Sequence, residues 1–243
     1  MADLPAQPNQ SLILGLACLE AVVTAESPLG SRELARQLGL EHTRISRLLG
    51  TLCHLGLIQR TPARKYRPGP GIHVLSAQSL RGSGLLATSL PLLKPLLRER
   101  LTVSLGVLWK HQVCYLVYAS PGVPLERALG AHGAYPVHES ILGRALLARR
   151  SDAEVRRLLG TAPVRLDRAE LGRFLGELRP VRRHGFALRR LENGQTSIGA
   201  VIGEPPLGAL ALTGTIAAAR ESRLVRLLLD TAARITAALT GKS

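Results

Sequence analysis

Cysteine is scarce in this chain of 243 residues. The three present, Cys18, Cys53 and Cys114, are too few and too scattered for a disulfide framework or a CxxC metal knuckle. Aromatic residues are equally rare: Trp109, Phe174, Phe186 and four tyrosines, with no cluster. Single-strand binders and RNA-recognition sheets need stacking platforms, so that class is disfavoured. Long apolar runs are missing too, and the longest, such as Leu207–Leu212, fall far short of the ~18 residues a membrane span needs. Met1-Ala2-Asp3-Leu4-Pro5 lacks a basic segment followed by an apolar block, so no secretory signal is expected. These absences predict a soluble, cytoplasmic protein without a membrane partner. Acid is the minority charge: 17 Asp and Glu stand against 32 Lys and Arg, a net +15. A surplus that large favours a polyanionic partner. Twenty-eight of the 32 cations are arginine, so part of the excess is compositional bias.

What is present is a filled core, since 46% of the residues are hydrophobic. Helical spacing over Ser11–Ala25 places Leu12, Leu16, Leu19 and Val23 on one stripe. Ser27-Pro28-Leu29-Gly30 reads as a turn, with Ser31 as the N-cap of a second helix that ends at Gly39. A third helix over His42–Leu55 aligns Ile45, Leu48, Leu49, Leu52 and Leu55 and stops at Gly56. Leu57–Arg60 and Lys65–Arg67 flank a Pro-containing turn and read as a β-hairpin. Together these make a winged helix-turn-helix over residues 1–69. Pro68-Gly69-Pro70-Gly71 marks the boundary, and Ile72–Leu80, within the connecting residues 70–84, reads as helical. Residues 85–243 form an α/β domain: Leu85–Leu101 is helical and broken at Pro91 and Pro95. Strands are expected at Thr102–Trp109, Gln112–Ser120, Leu125–Leu129, Phe186–Leu191, Thr196–Gly203 and Leu207–Thr213. Further helices are expected at Ile141–Arg149, Asp152–Leu159, Asp167–His184 and Ala217–Leu239. The fold class is α+β, with five or six strands in an antiparallel or mixed sheet.

Projected at ~100° per residue, the third helix turns its leucines inward and presents Thr43, Ser46, Arg47, Gly50, Thr51 and His54, with Arg44 beside them. That face holds no acid. Hydroxyls and a small glycine allow close approach to phosphates and base edges, and arginine can read guanine with two hydrogen bonds. Ser31 starts the preceding helix, and Arg60, Arg64, Lys65 and Arg67 belong to the wing, where they would meet the adjacent backbone. Residues 31–67 hold eight basic residues and two acidic ones. A plain solvated helix face is the alternative reading of the same pattern. The implied partner is double-stranded DNA, and a single helix reads few base pairs, so at least a dimer on paired half-sites is expected.

Catalytic signatures are missing as well. There is no GxxxxGKS phosphate loop, no GxGxxG after a strand and no HExxH. His138-Glu139-Ser140 cannot act as a triad, because adjacent side chains point apart. No enzyme activity, metal or cofactor is therefore expected. Three other classes stay open: an enzyme with an accessory helix-turn-helix, a general architectural DNA binder, and a protein-interaction module.

The segments Ser31-Arg-Glu-Leu-Ala-Arg-Gln-Leu-Gly-Leu and Arg47-Leu-Leu-Gly-Thr-Leu-Cys-His-Leu-Gly-Leu-Ile, with Tyr66 in the wing, resemble the isocitrate-lyase-regulator (IclR) family of bacterial transcription factors. The resemblance continues through Pro136-Val-His-Glu-Ser-Ile-Leu-Gly-Arg-Ala-Leu-Leu-Ala148, Arg182-Arg-His-Gly-Phe-Ala187 and Gly194-Gln-Thr-Ser-Ile-Gly-Ala200. It covers about residues 10–240. It implies a winged helix-turn-helix, a linker helix, a GAF-like domain that binds a small effector between the His138–Gly143 segment and the strands carrying Ser197 and Thr213, and assembly as a dimer or tetramer. On that basis His138, Ser140, Ile141, Leu142, Arg189, Arg190, Ser197 and Thr213 are the expected effector residues. Ser197 stands where the family has a cysteine, Arg189 and Arg190 where it has acids, and Ile141 and Leu142 where it has small residues. An inward arginine would favour a carboxylate, whereas the bulkier Ile141 and Leu142 would narrow the site. Effector identity therefore does not carry over.

Overall fold

The computed structural model describes residues 6–130, 133–162 and 165–241; the start of the chain read for a leader, Met1–Pro5, lies outside them. The chain forms two compact units that divide between Ser83 and Gly84.

The first unit contains α1 (Gln10–Thr24), α2 (Ser31–Leu38), α3 (His42–His54), β1 (Ile58–Arg60), β2 (Tyr66–Pro68) and α4 (Pro70–Ser83). Asn9 caps α1 by accepting the Leu12 N–H at 3.0 Å. The core is Cys18, Val22, Leu34, Ile45, Leu49, Leu52, Ile58 and Tyr66. The stripe expected to bury α1 is therefore the wrong one: Leu12 and Leu16 are 61% and 55% exposed, and the neighbouring stripe of Cys18 and Val22 faces inward. Leu55, also expected inside, is exposed, because α3 ends at His54 and the chain turns at Gly56 (φ 70°). Ser31 is not the N-cap of α2. Gly30 is, and the Ser31 hydroxyl instead lies 3.0 Å from Nε2 of His42. Gly39 ends α2 at φ 64°, the left-handed conformation a tight turn needs. β1 and β2 pair antiparallel, and Leu29 exchanges backbone hydrogen bonds of 2.9 and 2.7 Å with Tyr66, adding a third segment to the wing. The Pro-Gly run leads straight into α4, and its backbone is tied to the first unit through Gly69 N–H to Leu57 O and Gly71 N–H to Gly56 O.

The second unit contains α5 (Leu85–Leu92), α6 (Lys94–Leu97), β3 (Thr102–Trp109), β4 (Gln112–Ala119), α7 (Leu125–Ala128), β5 (Ala134–Pro136), α8 (Ile141–Ala148), α9 (Asp152–Gly160), α10 (Arg168–His184), β6 (Phe186–Arg190), β7 (Thr196–Ile202), β8 (Gly208–Gly214) and α11 (Ala218–Thr240). Six strands form an antiparallel sheet in the order β5-β4-β3-β8-β7-β6. One face carries Val103, Leu105, Val117, Ile198, Ala200, Leu210 and Leu212 and packs with α5, α6 and α11. The other carries Val113, Ala187, Ala209 and Ala211 beneath α8 and α10. Capping boxes at Ser151/Glu154 and Asp167/Glu170 start α9 and α10.

One expectation fails here. Leu125–Leu129 is not a strand: residues 125–128 form one helical turn after Pro124, and only Leu129 bridges to Val117. Trp109 is 59% exposed at the β3–β4 turn, with the Lys110 ammonium 5.6 Å from its ring. A short β5 at the sheet edge is an element the sequence reading did not contain.

Glu99, just past α6, is held by Arg220 and Arg223 of α11 at 2.8 and 2.5 Å. The hydrogen bonds from Arg223, then Arg220, outweigh burial and lower its carboxyl from 4.5 to about 2. A lowered folded-state pKa contributes stability that is complete above about pH 4.5 and is lost as pH falls toward 2. Both arginines are about half exposed, so solvent keeps the effect modest. Glu99→Gln should lower Tm at pH 7 by about 2–4 °C, and the difference from wild type should close near pH 2. A pH-independent Tm difference would separate the loss from ionisation.

Candidate nucleic-acid interface and effector face

On α3 the residues opposite Ile45, Leu49 and Leu52 are all exposed: Thr43, Arg44, Ser46, Arg47, Gly50, Thr51 and His54. The helix contains no acid. Thr51 Oγ1 donates to the Arg47 carbonyl at 3.1 Å, which leaves its methyl and lone pairs facing outward. The wing cations Arg60, Arg64, Lys65 and Arg67 are exposed as well. The Arg60 guanidinium lies 6.0 Å from the Tyr66 ring centre. The wing turn closes through Thr61 N–H to Lys65 O at 2.7 Å and Arg64 N–H to Thr61 O at 2.9 Å. Arg64 occupies φ 57°, a region glycine enters without strain and arginine does not. Sequence spacing could not show this, since a positive φ depends on how the turn closes.

In the second unit the pairing register places Arg189, Ser197, Thr213 and Thr102 in one row across β6, β7, β8 and β3. Side chains in one row share a face. Ser197 and Thr213 join directly, hydroxyl to hydroxyl, at 2.9 Å. The next row on the same face runs Ala187, Gly199, Ala211, Ser104, Tyr118. This is the face under α8, because a Cβ on Gly199 would lie 3.0 Å from the Ile141 carbonyl. Arg189 donates to the Glu139 carbonyl at 2.9 Å, so it braces the segment before α8. Arg190 points the other way, pairing with Glu221 of α11 at 3.0 Å. Strand alternation separates the two arginines, and Arg190 does not belong to this face.

Ser140 caps α8, accepting the Gly143 N–H at 3.4 Å, and lies 3.0 Å from the Tyr115 hydroxyl. His138 meets the Phe174 ring edge-on at 6.4 Å and lies 3.5 Å from Glu139. Ile141 and Leu142 are buried and pack where Gly199 and Gly106 leave room, so they fill space over the sheet. Sequence reasoning missed Thr102, Ser104, Tyr115 and Tyr118, which reach the face only through strand register. It also missed Arg144, which pairs with Glu177 and lies 5.1 Å from the Phe174 ring centre. Burial pushes the Tyr115 phenol and the Cys114 thiol up, so both stay neutral near pH 7. Among the described residues no cluster of His, Cys, Asp and Glu could hold a metal, and no helix is long and apolar enough to cross a membrane.

Residues 11–62 match the family model of the IclR helix-turn-helix domain. The transcriptional repressor IclR of Escherichia coli K12 is 29% identical over 154 residues, 62% of this chain and 56% of that repressor. Residues 11–62 are therefore an IclR-type helix-turn-helix. The likeness spans little more than half the length of that curated relative. The fold extends further. The IclR family transcriptional regulator from Brucella abortus superposes with a TM-score of 0.78 at 20% identity, covering 98% of this chain and 96% of that one. An IclR homolog from Microbacterium hydrocarbonoxydans, crystallised with 4-hydroxybenzoate, superposes with a TM-score of 0.69 at 21% identity over 96% of this chain and all of that one. The fold of these solved structures thus extends over both units, with the helix-turn-helix in the first and the antiparallel sheet in the second.

Proposed function

We propose that this chain is a transcriptional regulator of the IclR type that binds operator DNA through α3 and the wing and answers to a small-molecule effector on the Ser197–Thr213 face. The observation that carries the DNA half is the acid-free, fully exposed outer face of α3 beside four exposed wing cations. Arg44 and Arg47 would read base edges. Thr43, Ser46 and Ser31 would engage phosphates or sugar, and Arg60, Arg64, Lys65 and Arg67 the adjacent backbone. Gel shifts with genomic fragments selected by the wild-type protein test this. Failure to select discrete fragments over random duplex would end the reading.

Arg64 offers a test that separates folding from binding. Arg64→Gly relieves a left-handed residue, so stability should hold or rise. Affinity for selected and random DNA should fall together, and the salt slope should flatten by about one. A loss confined to selected sites would instead make Arg64 a base reader.

The same chain is proposed to act as a dimer or tetramer. Leu12 and Leu16 on α1, and Val74 and Leu75 on α4, are exposed, and α4 has no buried residue. Such faces are stabilised when a second copy covers them. Light scattering at micromolar concentration should give a mass at least twice 26.0 kDa; a monomer with and without DNA would exclude it.

For the effector half, support comes from the adjoining hydroxyls of Ser197 and Thr213 and from Arg189 in the same row, which together offer hydrogen bonds and a positive charge. A related fold holding 4-hydroxybenzoate is consistent with a carboxylate. Absence of enzymatic turnover and a cytoplasmic setting belong to the same proposal.

A further inference from the structure

The row Arg189–Ser197–Thr213–Thr102 ends at a cavity of about 490 Å³ bounded by Arg98, Arg100, Thr102, Thr213, Thr215 and Arg220. That volume is in the range of small-ligand sites. Its lining is mostly polar, and its charges do not balance. Arg98, Arg100 and Arg220 face a single acid, Glu99, leaving a surplus of two positive charges. Glu99 has nothing to spare, since both its oxygens are taken by Arg220 and by Arg223 from outside the lining. Among the described residues the Arg98 and Arg100 side chains have neither a hydrogen bond nor an ion pair. In the larger cavity of this unit, about 1000 Å³, two of the three lining arginines are paired. There Arg149 pairs with Glu204, and Arg182 with Asp152 and two carbonyls.

Arg100 supplies an independent sign. It sits at φ 56°, where the chain turns from α6 into β3. Glycine would take that conformation without strain, and arginine holds it at a cost. Backbone geometry alone does not call for a cation there.

We propose that this cavity binds a small dianion, a compact metabolite with two carboxylate groups or a phosphate ester, clamped by Arg98 and Arg100 and hydrogen-bonded by Thr102, Thr213 and Thr215. Guanidinium groups suit planar oxyanions, which they can meet with two parallel hydrogen bonds. Two free guanidinium groups match a dianion in charge, and the threonine hydroxyls complete its shell. Because Thr213 is also bonded to Ser197, occupancy is transmitted to the face proposed to sense the effector. That last link rests on the effector reading given above; binding itself does not.

The full-length protein would be titrated calorimetrically with malonate and with pyrophosphate, against acetate and against sodium chloride at matched ionic strength. Saturable binding of malonate, of pyrophosphate or of both is expected, which also separates carboxylate from phosphate chemistry. Acetate should bind at least about tenfold more weakly. Arg98→Ala and Arg100→Gly should each weaken binding by about tenfold or more, while Arg226→Ala, on the exposed surface of α11, should not. Arg100→Gly should melt no lower than wild type, so lost binding cannot be blamed on folding. Absence of saturable binding by either dianion, or binding unchanged in Arg98→Ala/Arg100→Gly, overturns the site. Gel shifts run in parallel keep the two readings apart. A protein that binds the dianion but no DNA retains the site and loses the regulator proposal; DNA binding without dianion binding does the reverse.

Discussion

Gly143→Ala should destabilise the second unit by about 3 kcal/mol or more, despite placing a better helix former in α8. A Cβ at this position would lie 1.9 Å from the Val137 carbonyl and 2.8 Å from its side chain. Val137 belongs to the segment that leads into the Ser140 cap of α8, and that segment is held by Val137 N–H to His111 O at 3.0 Å and by the Ser140 cap. The intrinsic helix gain from Gly to Ala is about 1 kcal/mol, so the clash dominates. Thermal denaturation should show Tm falling by about 6–12 °C. Gly176→Ala is the companion measurement: that glycine lies inside α10 with nothing within 4 Å of an added Cβ. It should be neutral or gain up to about 1 kcal/mol. If both variants melt alike, close approach of α8 is not what holds glycine at position 143.

Arg47→Ala should weaken binding to selected DNA fragments by about 1–3 kcal/mol, roughly tenfold to a hundredfold, with little change on random duplex. Arg47 lies near the centre of the exposed α3 face, flanked by Thr43, Gly50 and Thr51. Gly50 adds no bulk between that face and a groove. Folding should be unaffected, because the core stripe Ile45–Leu49–Leu52 is on the opposite side. Competitive gel shifts at two salt concentrations distinguish the outcomes. Equal loss on selected and random DNA would make Arg47 a phosphate contact, and no loss would remove α3 from the interface.

Much of the first unit was legible because its signals are local. The stripe of α3, the glycines at 39 and 56 and the cations of the wing are set by spacing and by residue type. The errors were local too, but of another kind. Leu12–Leu16 and Cys18–Val22 are both valid helical stripes on α1, and only the partners α2 and α3 decide which one is inside. Leu125–Leu129 has strand-like residues, yet a single turn forms after Pro124 because no neighbouring strand accepts the segment beyond one bridge at Leu129.

The sequence by itself determined the class of fold, the helix-turn-helix, its charge and the segments that resemble the IclR family, since periodicity, turn residues and composition are properties of the chain. Tertiary structure alone decided which of the residues expected to hold an effector meet. Strand register aligned Arg189, Ser197 and Thr213 in one row and sent Arg190 to the other face. It also gathered Arg98, Arg100 and Thr213, separated by more than a hundred residues, around one cavity. Register and crossover are pairings between distant segments, and no local pattern encodes them.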